Sequence, residues 1–166
     1  SKPTRDGTGA AVFGVLDDKG DRRLLAGRDT PLADCLKNAI DPARLAWYDA
    51  PIEDFKTSLF DDIDAGISTV RGGIVEPGSL VLWPTIAEPR TLSLVPPLHI
   101  AVLQSDTLHD TLHAVMQAER WADGLPTNAL LVTGPSKTAD IQRLLVYGAH
   151  GPKQLVILLV REGVAA

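Results

Sequence analysis

The chain has 166 residues, 45% of them apolar and 22% charged, enough to bury a core as one ordinary domain and far from the composition of a disordered chain. A formal charge of -5 provides no cationic field for a phosphate backbone, which argues against nucleic acid as a partner. Cys35 is the single cysteine, so no internal disulfide, iron-sulfur cluster or thiolate zinc site can be built from this chain alone, and the neighbouring Asp34 disfavours a nucleophilic thiolate.

Residues 1–9 lack an apolar period and are expected to form a disordered tail, leaving 10–166 as one domain. Residues 12–16 and 22–26 flank an Asp- and Gly-rich turn, a pattern that predicts an N-terminal β-hairpin. A short helix is expected over 32–40 and strands over 43–48 and 65–70, separated by an acidic surface segment. A turn-rich link at 72–79 leads into a strand at 80–83, and the apolar, branched run 99–103 after Pro96-Pro97 predicts a buried strand. Ser105 or Asp106 is expected to cap a helix whose stripe is Leu108, Leu112, Val115 and Met116. A strand at 129–132, a helix from Ser136 to Tyr147 stopped by Gly148, and a second buried strand at 155–160 then make a strand-helix-strand unit. The sum is an α/β domain: an open, mostly parallel sheet with helices on both faces and the hairpin at one edge. The run 155–160 is far too short to cross a bilayer, and no signal-peptide pattern opens the chain, so a cytoplasmic location without membrane insertion is expected.

Chemistry concentrates at Thr133-Gly134-Pro135-Ser136-Lys137-Thr138, with Asp140 in the expected first turn. Unpaired amides at a helix start, the dipole and the Lys137 ammonium would together hold a carboxylate or phosphate; the alternative is a plain helix cap. A P-loop is ruled out, because Ser136 stands where the glycine before the lysine is required. Gly73, Gly78 and Ser79 surround Glu76 with small residues, a setting for a base or nucleophile or simply for a surface turn. His99 at a strand start and His150 in a loop can each serve as acid or base, or can simply be structural. His109 and His113 mimic the spacing of a zinc helix, but Asp110 is shorter than the usual general base and no third ligand is evident; no metal site is expected.

The string from Thr133 to Ile141, continued from Leu144 to Lys153, resembles the LUD-domain family and within it the lactate-utilisation protein C group. The resemblance extends back through 73–82 and 96–100, with Pro77, Ser79 and Lys137 departing from the usual residues, and covers roughly 64–161. It implies a fold like that of glucosamine-phosphate deaminases, ribose-phosphate isomerases and CoA transferases, in which a glutamate matching Glu76 can be catalytic. It also implies oxidation of L-lactate to pyruvate beside the iron-sulfur lactate-utilisation proteins A and B, which would carry the clusters while this chain binds a small organic acid and no cofactor. Glu76, His99 and His150 are then candidate catalytic residues, with Gly73, Gly78, Ser79, the 133–138 loop and Asp140 as ligand contacts. The alternative is a stand-alone enzyme acting on a phosphorylated or CoA-linked acid, with Glu76 as base or nucleophile.

Overall fold

The computed structural model describes residues 7–18, 22–49, 62–139, 145–147 and 151–161. Five strands form a wholly parallel sheet: β1 (Leu24–Gly27), β2 (Leu45–Tyr48), β3 (Ala65–Thr69), β6 (Leu98–Gln104) and β11 (Gln154–Val160). Their order is β11-β6-β3-β1-β2. On β6, Leu98, Ile100 and Val102 pack into the core on one face and Ala101 and Leu103 into that on the other, so the strand is apolar on both faces, as a covered parallel sheet requires.

One face is covered by α1 (Thr8–Asp18) and α2 (Ala33–Ala39). Val12, Leu16, Leu32 and Leu36 pack there against Leu24, Ile67, Leu98, Ile100 and Val102. Burying each of these leucines contributes about 1.5–3 kcal/mol. The helix at α1 replaces the expected hairpin and begins at Thr8, inside the segment assigned to a tail. The reason is periodicity: Thr8, Val12 and Leu16 recur every fourth residue and are all buried, while Phe13 and Gly14 between them are exposed.

The opposite face carries the short helix α3 (Thr91–Leu94) and a second sheet of order β7-β4-β5-β8. Its members are β4 (Gly72–Ile74), β5 (Ser79–Leu82), β7 (Leu108–His109) and β8 (Leu130–Val132). Leu80, Leu82, Leu130 and Val132 close on Ala101, Leu103, Leu155 and Leu159 of the parallel sheet. The helix expected after Ser105 starts later. Residues Ser105–Thr107 form a single 3-10 turn, and α4 (Leu112–Ala118) is capped by Thr111, whose Oγ1 accepts the Ala114 amide at 3.2 Å. Of the expected stripe, Val115 is buried, while Leu108, Leu112 and Met116 stay largely exposed.

The strand-helix-strand unit at the end of the chain is also corrected. β8 pairs antiparallel with β5 in the second sheet, and β9 (Lys137–Ala139) pairs antiparallel with β10 (Leu145–Tyr147) where a helix was expected. Thr138, Val146 and Tyr147 are β-branched or aromatic, residue types with strand propensity, which the helical spacing of Leu144 and Leu145 obscures in the sequence. Among the described residues no helix is long and apolar enough to cross a membrane.

Candidate functional site

Successive strands run outward from β1 to β2 on one side and through β3, β6 and β11 on the other. The carboxyl ends of β1 and β3, at Gly27 and Thr69, therefore flank the place where open α/β sheets receive ligands. Residues 83–90 lie over this point. Their turn is tied by reciprocal bonds: the Thr85 amide donates to the Glu88 carbonyl and the Glu88 amide donates to Thr85 Oγ1, each at 3.0 Å. The turn aims the Glu88 carboxyl at the end of β3, where Oε1 accepts the Thr69 amide at 3.0 Å and Oε2 accepts the Thr69 hydroxyl. Burial pushes the Glu88 pKa above the ordinary glutamate value, against the pull of the two Thr69 bonds. Such a carboxyl can give or take a proton closer to neutrality than an exposed one.

Outside Glu88, beside the carboxyl ends of β3 and β6 rather than between β1 and β3, opens a cleft of 590 Å³ lined by Thr69, Arg71, Trp83, Thr85, Thr107 and Glu119 among others. Arg71 follows β3, and its amide is fixed to the Val81 carbonyl at 2.8 Å. Its guanidinium lies 4.9 Å from the centre of the Trp83 ring and is ion-paired through Nε with Glu119. Trp121 meets Trp83 edge to face, with ring centres 6.4 Å apart. The cleft thus offers a cation, an aromatic wall, three threonine hydroxyls and a half-buried carboxyl, a set suited to a small hydroxylated anion.

Sequence-predicted residues are distributed differently. Ser79 and Thr133 do come together, with their hydroxyl oxygens 2.8 Å apart, and Thr133, Gly134 and Ser136 line a separate pocket of 240 Å³ with Ser93, Gly151 and Pro152. Pro135 is exposed beside it. The Ser136 amide, expected to be unpaired, donates to the Pro152 carbonyl at 2.8 Å, and Lys137 and Thr138 stand on β9 opposite Tyr147 and Val146. A helix-start anion site is therefore not what this loop forms. Asp140 and His150 lie outside the described residues.

Glu76 sits exposed on the β4–β5 turn, which Gly78 closes with φ +66°, and its amide donates to the Asp110 carbonyl at 3.1 Å. It lines neither the cleft nor the pocket at Thr133. Gly73 is buried on β4, where an added Cβ would meet Leu108 at 2.8 Å. His99 is fully buried on β6, 3.0 Å through Nε2 from Ser68 Oγ, with Nδ1 unpartnered; burial pushes its pKa down to about 4. Like Glu76, His99 lines neither the cleft nor the pocket at Thr133. His109 ends β7 while His113 lies in the first turn of α4, so the zinc-like spacing does not put the two rings on one helical face.

The cleft residues escaped sequence reasoning because none belongs to a motif. A faint signal was present: Arg71 lies just beyond a predicted strand end, and Glu88 lies in a proline-bracketed segment between Pro84 and Pro89. Which strand ends are neighbours depends on sheet order, which no local pattern encodes.

Comparison with known proteins agrees with this architecture. The Deinococcus radiodurans DUF162 family crystal structure superposes with a TM-score of 0.63 at 20% identity, covering 96% of this chain and 86% of that one, a likeness of fold. An uncharacterized Neisseria meningitidis protein is 46% identical over 114 residues, which is 68% of this chain and 49% of that protein. The lactate utilization protein C of Bacillus licheniformis is 29% identical over 160 residues, 92% of this chain and 66% of its own length. Escherichia coli YkgG is 27% identical over 169 residues, 92% of this chain and 68% of its length. The chain thus spans about half to two thirds of the length of these relatives. The family model described as LUD domain matches residues 18–160, and the chain belongs to the LUD-domain family.

Proposed function

We propose that this chain works in lactate utilisation as a protein C-type subunit, acting with iron-sulfur partners of the A and B type in the oxidation of L-lactate to pyruvate. Relatives named lactate utilization protein C support the role, and the single cysteine leaves cluster ligation to partner chains. The small acid binds in the cleft at the carboxyl ends of β3 and β6. Arg71 carries this reading: it is the cation among the described lining residues, and its planar fork matches a carboxylate. Glu88 and the threonines face the substrate hydroxyl, with Glu88 placed to accept its proton.

Calorimetric titration of L-lactate and pyruvate tests the site. Arg71→Ala is expected to weaken binding at least tenfold, in keeping with loss of one charge-assisted pair; unchanged affinity would reject the cleft. Co-purification with the A- and B-type proteins, and growth on lactate after deletion, test the role itself. A second reading places the acid in the pocket at Thr133, Gly134 and Ser136, favoured by the Ser79–Thr133 contact. Thr133→Val would then weaken binding, and Arg71→Ala would not.

A further inference from the structure

We propose that Glu119 sets the charge selectivity of the cleft, narrowing the advantage that Arg71 alone would give a dianion over a monoanionic acid; this rests on the reading of Arg71 as the carboxylate anchor. Glu119 follows α4, where its amide is held by the Val115 carbonyl at 2.9 Å, and its side chain is the less exposed partner of the pair, at 18% against 53% for Arg71. The bond uses Arg71 Nε, so the edge made by the two terminal nitrogens is left for a ligand. The guanidinium lies over the Trp83 ring, and the hydrogen bond that the Arg71 amide donates to the Val81 carbonyl fixes the backbone that carries it.

A carboxylate seated on the terminal nitrogens shares one guanidinium with Glu119, and two anions on one cation repel. The repulsion is tolerable for a single ligand charge. It roughly doubles for a dianion, as the attraction to Arg71 does, while a neutral analogue feels neither. Glu119 therefore does not anchor the ligand; it offsets part of the attraction that Arg71 would otherwise exert, and the offset is larger for small dianions that would fit the 590 Å³ cleft by size alone.

Glu119→Gln isolates the charge, because the amide oxygen still accepts from Arg71 Nε. Wild type, Glu119→Gln and Arg71→Ala are titrated calorimetrically with L-lactate, oxalate and L-lactamide, after thermal melts confirm folding. For Glu119→Gln we expect L-lactate to bind about tenfold tighter, oxalate to gain by a clearly larger factor, and L-lactamide to stay within about twofold. Weaker lactate binding, or the same change for all three ligands, would overturn the selectivity role and mark Glu119 as an orienting group. If Arg71→Ala leaves lactate affinity untouched, the cleft reading itself fails, an outcome separable from failure of the charge argument alone.

Discussion

Stability should fall on acidification by an amount traceable to His99. The ring is fully buried, its Nδ1 has no partner, and its pKa is lowered from 6.5 to about 4 by burial. Between those values the unfolded chain binds a proton that the folded chain refuses, so unfolding is favoured as pH drops. The contribution is complete above pH 6.5 and lost progressively toward pH 4, reaching about 2.5 kcal/mol by about pH 4.5. Glu88 runs the other way: its raised pKa means the folded state holds a proton the unfolded state releases, so its contribution is present at low pH and lost as pH rises. The His99 effect is therefore read as a difference. Urea unfolding of wild type and His99→Gln at about pH 7.5 and about pH 4.5 should show the stability gap between them shifting by about 2.5 kcal/mol in favour of the variant at the acid end. Imidazole NMR shifts of the folded wild type should stay in the neutral range across the same interval. A pH-independent gap, or a ring that protonates near pH 6.5 while the protein stays folded, would refute the argument.

Gly66→Val should destabilise by at least about 1–3 kcal/mol, because a Cβ there would collide with the Leu92 carbonyl oxygen and crowd Pro96 at 2.9 Å; a urea midpoint equal to wild type would contradict the packing. Leu36→Ala, at a fully buried core position, should cost about 2–5 kcal/mol in the same assay. Thr111→Ala should cost about 1 kcal/mol through loss of the α4 cap and leave lactate binding unchanged, which calorimetry checks.

The parallel core was legible because its strands announce themselves: residues 155–160 are a continuous apolar, branched run, 98–103 a run interrupted only at His99, and 65–70 a mixed stretch carried by Ile67, Thr69 and Val70, and β11, β6 and β3 lie there. The helix at 32–40 was readable from Leu32, Leu36 and Ile40 at every fourth position, all buried on one face. What could not be read was pairing across long separations. β5 meets β8 some fifty residues later, and only that partnership takes the strand ending at Val132 out of the parallel sheet. The same limit hid the cleft, since Thr69, Glu88 and Glu119 meet through sheet order and a proline-bracketed turn rather than through a local motif. Conversely, Ser136 carried a recognisable signature, yet its amide found the Pro152 carbonyl, a partner that only the fold supplies. Resemblance identified the family.

At Gly27 and Gly66 the main chain of residues 87–92 comes so near the strands that a methyl group would strike the Ala87 or Leu92 carbonyl oxygen. The segment bearing Glu88 is thus seated by bare backbone shape at two points, in addition to the buried Leu92 side chain. Substitution at Thr85 or Glu88 would leave both backbone seats in place, so what the segment presents to the cleft is separable from what holds it there so long as the two seats stay empty of side chains.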